Sequence, residues 1–360
     1  MGSDPRSPLE NRPDPDLSIM SESTIQPRQI RKRVGNNVFN NAPRVSVVIT
    51  AFNKARYIKE TVDSVLAQRY REHEIIVVND GSEDTNQLER QLKIRFEELI
   101  YIRQRHAGEG AARNTGIENA RGSIIAFLKA GDLWQPDFLA TQNVHLERHS
   151  LDLVYSDATI FADRSVYRRN FMDKYPSIGA VSPKSLLDRS CNVLISGTLV
   201  RKKWLEQAGM FEVEDVPKPG LHLWVRMAKA GARFGYQQKQ LVKLRSYRES
   251  NCDDELSKIE EEKDVFERIR NSIDLTEQEL AIVKGRIDEL EAALALEQGR
   301  SFLKSGDYTE AVTAFRVANH HQKSLKLAAM TLLTRVAPKA ALRLTASSQR
   351  VETGPERYYT

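Results

Sequence analysis

The chain is 360 residues long, with 29% charged and 40% hydrophobic side chains and a formal net charge of +5. That size allows two or three domains. No apolar run approaches the ~18 residues of a membrane-spanning helix; the longest candidate, 325–333, is broken by Lys326 and Thr331. No apolar N-terminal stretch marks a secretory signal. Two cysteines, Cys191 and Cys252, cannot build a disulfide framework and fit a reducing compartment, so a cytoplasmic setting is expected. The seven histidines do not combine with cysteines at zinc spacing.

Residues 1–43 hold six of the thirteen prolines among Ser, Asp, Asn and Arg, and read as a disordered leader with a basic cluster at Arg28, Arg31, Lys32 and Arg33. From Arg44 short Val- and Ile-rich runs alternate with helical stretches. Strands are expected at 45–51, 74–79, 99–104 and 124–128, and helices near 55–68, 84–97 and 110–120. In the first helix Ile58, Val62, Val65 and Leu66 fall on one face. Near-continuous apolar strands separated by helices imply a mostly parallel sheet covered on both sides, an α/β fold with its site at the carboxyl ends of the strands. A mixed region follows, with a helix at 137–149, strands at 152–156, 193–200 and 241–247, and a helix at 222–230 carrying Leu223, Trp224, Met227 and Ala228 on an apolar face. After residue 250 the pattern is helical. Residues 253–291 are strongly acidic, with Thr276 and Glu279 forming a capping box, whereas 311–350 contain no Asp or Glu but seven Lys or Arg.

Three motifs can carry chemistry. Asp80 follows a strand and precedes Gly81, so its carboxylate lies at the sheet edge, where it can accept hydrogen bonds from a base or ribose; an ordinary Asp-Gly turn reads the same way. Gly108 and Gly110 open a helix that carries Arg113, an arrangement suited to a phosphate. It is not a dinucleotide fingerprint, because Arg113 stands where Gly or Ala is needed and no acidic residue follows at the required distance. The strand at 124–128 then runs into Lys129, Ala130, Gly131 and Asp132, with Asp132 the lone carboxylate.

In this order and spacing the three motifs resemble family-2 glycosyltransferases of the GT-A fold. Residues 44–53 are similar to that family's opening strand and turn, with Thr50 in place of its Pro. Residues 57–68 are similar to its first helix, 75–82 to its Asp-Gly-Ser strand, and 111–116 with 120–122 to the next segment. Residues 127–136 resemble the strand that carries its metal motif, and 223–226 the helix after its catalytic base. The resemblance covers about 44–250. It implies a nucleotide-sugar donor, a UDP-sugar in first place, and a glycan or lipid-linked acceptor. It also implies Mg²⁺ or Mn²⁺ on the diphosphate, a carboxylate base and inversion by a single displacement. Carried over, Ala51 and Asn53 line the donor pocket, Asp80 contacts the nucleobase or ribose, and Arg113 lies near the donor.

The departures fall on the chemistry. The family's two metal aspartates are replaced by Lys129 and Gly131, on either side of Ala130, leaving Asp132 as the one metal candidate, a thin shell for a hard cation. The expected base pair is replaced by Pro219 and Gly220. Two readings compete. In one, Lys129 stabilises the leaving diphosphate without a metal and His222, Glu214 or Asp215 serves as base. In the other, the chain is a pseudoenzyme that keeps the fold and nucleotide binding.

Residues 292–325 resemble one tetratricopeptide repeat through Gly299, Gly306, Asp307, Tyr308, Ala311, Phe315 and Ala318; an ordinary helical hairpin reads equally well. The expected organisation is a leader at 1–43, a glycosyltransferase-like unit at 44–250, a helical region at 251–350 and a tail at 351–360. The basic, leucine-bearing stretch 311–350 suits peripheral contact with an anionic membrane face, and a solvated basic face is the competing reading. Phe315 is its lone Phe, Tyr or Trp, too few for stacking successive bases, which argues against nucleic acid.

Overall fold

The computed structural model describes residues 31–34, 43–162, 165–213, 220–246 and 252–344. Its first half alternates strand and helix: β1 (Arg31–Val34), β2 (Val45–Ala51), α1 (Ala55–Leu66), β3 (His73–Asp80), α2 (Thr85–Leu92), β4 (Ile100–Gln104), α3 (Glu109–Glu118) and β5 (Ile124–Lys129). The middle is mixed: β6 (Leu133–Trp134), α4 (Phe138–Arg148), β7 (Leu153–Ala162), β8 (Ser165–Asn170), α5 (Phe171–Lys174), α6 (Pro183–Leu187), β9 (Thr198–Arg201), α7 (Lys202–Gln207), α8 (Gly220–Lys229) and β10 (Phe234–Arg245). Four helices end it: α9 (Cys252–Ser272), α10 (Glu277–Ser305), α11 (Tyr308–Gln322) and α12 (Leu325–Val336).

All ten strands join one sheet in the order β1-β4-β3-β2-β5-β9-β7-β10-β6, with β8 paired to β7. The neighbours β4, β3, β2 and β5 are mutually parallel, and β9 turns the sheet antiparallel. Every residue of β2 and β3 is buried, as expected for central strands covered on both faces. Alternation sorts their side chains. Val45, Val47 and Ile49 pack with Ile58, Val62 and Val65 of α1 and Leu88 and Leu92 of α2. Val48, Ile76 and Val78 face the other way, into a cluster that includes Leu223, Trp224 and Met227 of α8.

That second cluster also takes in Val265, Phe266 and Ile269 of α9 and Val283, Ile287 and Leu290 of α10. The first part of the acidic helical region is therefore core rather than appendage, which moves the expected boundary at 250. The remainder has its own small core of Ala295, Leu303, Ala311, Phe315, Ala318, Leu327 and Ala341. A Cβ added at Gly299 would come 2.6 Å from the Phe315 ring, so the α10–α11 hairpin closes only on a residue without a side chain. Thr276 and Glu279 form the expected capping box at the start of α10. No helix among the described residues is long and apolar enough to cross a membrane.

Three elements differ from the sequence expectation. Arg31–Val34, expected within a disordered leader, is an edge strand paired antiparallel to β4. The expected strand 193–200 winds first into a 3₁₀ turn at Ile195–Gly197, and only Thr198–Arg201 is extended. The helix expected at 84–97 tightens into 3₁₀ at Lys93–Glu98. Arg28 and the tail at 351–360 lie outside the described residues.

Candidate donor site

The parallel register sets Ala51 opposite Asn79, Asp80 opposite Gln104 and Thr50 opposite Lys129. The ends of β2 to β5 thus form one edge, and the candidate residues gather along it. Ala51 is there by its backbone, while its side chain belongs to the core.

Asp80 is almost fully buried, and its carboxylate is already engaged. Oδ1 accepts from Gln104 Nε2 at 2.6 Å and from the Ala107 N–H at 3.0 Å, and Oδ2 lies 2.9 Å from His106 Nδ1. Gly81 makes this possible: its φ is +69°, and a Cβ there would come 2.5 Å from the His106 nitrogen. The His106 ring stacks on half-exposed Phe52 at 4.1 Å. Asn53, with φ of +52°, donates its N–H to Ser82 Oγ and accepts from the Glu83 N–H, clamping the β2 turn to the β3 turn. Asn79 holds Thr85 and Tyr101 beneath them.

Arg113 projects toward the start of α3, as helical side chains do. Its Nη2 lies 2.6 Å from Glu109 Oε1, and the same oxygen lies 3.1 Å from Lys129 Nζ at the end of β5. Arg113 is buried against the Phe211 ring, whereas Lys129 is nearly half exposed. Burial pushes the Glu109 carboxyl up, but Arg113 and Lys129 outweigh it and hold the group below the usual carboxylate range.

Asp132 sits behind Lys129. Its Oδ2 accepts from Ser196 Oγ at 2.6 Å and its Oδ1 from the Arg245 N–H at 3.0 Å. Burial raises its carboxyl despite those bonds and the Lys129 charge. Arg245 packs between the Tyr57 and Phe161 rings and bonds Glu60 at 2.6 Å, which locks this corner. The donor set does not fit a divalent cation. Asp132 spends both oxygens on protein donors, Glu109 faces two cations, and an ammonium stands beside them. Among the described residues no group of three His, Cys, Asp or Glu side chains could hold a metal ion.

The base candidates do not assemble here. His222 points along α8 to α9, with Nε2 2.7 Å from Ser272 Oγ, and burial pushes its imidazole down to about 4. Glu212 Oε1 lies 3.4 Å from the same nitrogen, so the ring is held between Ser272 and Glu212. Gly220, at the expected base position, is buried, and a Cβ there would come 2.7 Å from Ile195 Cδ1 and 3.1 Å from Trp224 Nε1. Glu214 and Asp215 lie outside the described residues. Sequence reasoning missed Glu109, His106, Phe52 and Ser196. Only Glu109 left a signal, four residues before Arg113 on one helix face.

A parallel half-sheet continued by antiparallel strands, with a polar cluster at its carboxyl edge, is the arrangement of the GT-A structures with which the chain superposes. The family described as Glycosyl transferase family 2 matches residues 46–206. An uncharacterized glycosyltransferase of Rickettsia prowazekii is 25% identical over 276 residues, covering 74% of this chain and 82% of that protein. A putative teichuronic acid biosynthesis glycosyltransferase, TuaG of Bacillus subtilis, is 28% identical over 196 residues, covering 53% and 75%. A longer uncharacterized glycosyltransferase of Rickettsia bellii is 27% identical, and this chain spans 40% of it. Among solved structures, the mannosyltransferase PcManGT of Pyrobaculum calidifontis, in complex with GDP-Man and Mn²⁺, superposes with a TM-score of 0.56 at 17% identity, covering 92% of each chain. Staphylococcus aureus TarS 1-349 in complex with UDP-GlcNAc gives 0.52 at 15% identity, covering 86% and 92%. The matched segment, residues 46–206, contains the strands whose ends form this edge.

Proposed function

We propose that the chain transfers a hexosyl group from a nucleoside-diphosphate sugar, a UDP-sugar in first place, to a hydroxyl of a glycan or lipid-linked acceptor. Lys129 stands in for a metal. The observation that carries this reading is the half-exposed Lys129 ammonium at the end of β5, on the same sheet edge as Asp80. A fixed cation there offsets charge on the departing diphosphate, and one charge-assisted hydrogen bond contributes about 1.5–3 kcal/mol. Single displacement inverts the sugar carbon: the acceptor oxygen forms its bond as the bond to the diphosphate oxygen breaks, and the hydroxyl proton passes to water. The names of the structural neighbours support the donor class, and that of TuaG supports polysaccharide synthesis.

A lipid-linked acceptor suits a chain that rests on an anionic surface. On α12 Leu325, Leu332 and Val336 are exposed beside Lys326 and Arg335. Flotation with anionic vesicles at low salt tests this contact, and no binding removes it.

A second reading, a nucleotide-binding pseudoenzyme, rests on Gly220, which brings no carboxylate to its place, and on His222, which faces Ser272. Calorimetry with UDP, GDP and their sugars, with and without Mn²⁺, followed by a turnover assay on the donors that bind, separates the two. Metal-independent UDP binding with turnover supports the transferase, and binding without hydrolysis or transfer to any acceptor supports the pseudoenzyme. Binding only with Mn²⁺ overturns the role of Lys129.

A further inference from the structure

We propose that Glu109 is a built-in counter-ion that a donor's diphosphate displaces from Lys129, and that this competition makes the site select a diphosphate over a single phosphate. The inference rests on the proposed role of Lys129. One oxygen, Oε1 of Glu109, sits between two cations, 2.6 Å from Arg113 Nη2 and 3.1 Å from Lys129 Nζ. That is the position a phosphate oxygen would take if both cations served an anion. The two partners differ in freedom: Arg113 is buried on the same helix, whereas Lys129 is nearly half exposed and comes from β5. An entering anion can draw Lys129 away and leave the Glu109–Arg113 pair intact.

Charge decides which anions do so. Glu109 already offsets one of the two cations, Arg113 and Lys129, so the cluster offers a reduced field to a lone phosphate. Two further features favour a larger anion. The buried Arg113 Nη1 has no hydrogen-bond partner among the described residues. The first turn of α3, entered through Gly108 at a φ of +87°, carries N–H groups without partners within the helix. A diphosphate can place one phosphate on Lys129 and the other at this helix start. A monophosphate must choose, and at Lys129 it meets Glu109 as an equal competitor.

The test is calorimetry in EDTA with UDP and UMP as probes, on the wild type, Glu109→Gln, Glu109→Asp and Lys129→Gln. Gln keeps the hydrogen bond to Arg113 and removes the charge. Asp keeps the charge but withdraws it by one methylene, and serves if Glu109→Gln melts well below the wild type. UMP binding is expected to tighten about fivefold in Glu109→Gln, the scale of one partly exposed ion pair, and UDP binding by less, so the UDP/UMP ratio narrows. Glu109→Asp should shift it in the same direction by less, and Lys129→Gln combined with Glu109→Gln should abolish the gain. Unchanged or weaker UMP binding in both folded Glu109 variants, with UDP still bound by the wild type, overturns the inference alone. No UDP binding by the wild type or any variant overturns the role of Lys129 as well.

Discussion

Replacing Asp80 separates its structural from its recognition role. Its carboxylate receives Gln104 Nε2, the Ala107 N–H and His106 Nδ1. Asp80→Ala deletes the acceptor and leaves two donors stranded in a buried corner, while half-exposed His106 can turn to water. At about 1–3 kcal/mol for each of the two buried donors left unpaired, the loss is roughly 2–6 kcal/mol. Asp80→Asn keeps one oxygen toward Gln104 and Ala107 and turns an amide toward His106, which can accept it by changing tautomer, so its cost is about 1 kcal/mol. Urea titration of the three proteins measures both differences. Asp80→Ala within about 0.5 kcal/mol of the wild type, or Asp80→Asn as damaging as Asp80→Ala, would refute the network argument. With the fold kept in Asp80→Asn, any fall in UDP affinity reports the nucleotide contact itself.

Three further outcomes follow from the same geometry. His222 is held neutral, with its pKa lowered from 6.5 to about 4, so the unfolded chain binds the extra proton between those values. Its contribution is complete above pH 6.5 and is lost as pH falls toward 4, by up to about 3 kcal/mol; His222→Gln should flatten the fall in urea midpoint between pH 7 and 4.5. Glu74 is buried and accepts from Ser46 Oγ, the Arg121 N–H and Arg121 Nε at 2.6–2.8 Å. Glu74→Ala should cost about 2–5 kcal/mol, read as a lower melting temperature. Gly299→Val would push into the Phe315 ring and cost about 1–3 kcal/mol, with faster hydrogen exchange confined to α10–α12.

The parallel half of the sheet was legible because each strand is buried on both faces and so reads as an uninterrupted apolar run. What single runs do not encode is partnership. Arg31–Val34 is charged and short, and it is a strand only because β4 offers it an edge. The run 193–200 is apolar enough for a strand, but Ser196 must turn toward Asp132, and the backbone winds there to bring it. In the site, Asp80 and Lys129 share an edge because β3 and β5 both run parallel to β2 and end on the same side, and Asp132 follows three residues after Lys129. His222 does not join them. Helical spacing gives its phase on α8 but not the neighbours on that side, Glu212 and, fifty residues away, Ser272. Glu109 is legible only as the i, i+4 partner of Arg113; that Lys129 reaches the same oxygen from β5 is a tertiary contact that spacing does not encode.

The packing of α9 and α10 onto the sheet changes what a minimal unit of this protein is. The family match ends at residue 206, and the last strand ends at Arg245. A fragment cut at either point would strip Phe266, Ile269, Val283 and Ile287 from the face that carries Val48 and Val78. The segment that gives the domain its family likeness is therefore shorter than the segment that can fold. A recombinant fragment has to run past Leu290, and the acidic helices α9 and α10 set the limit of the folding unit.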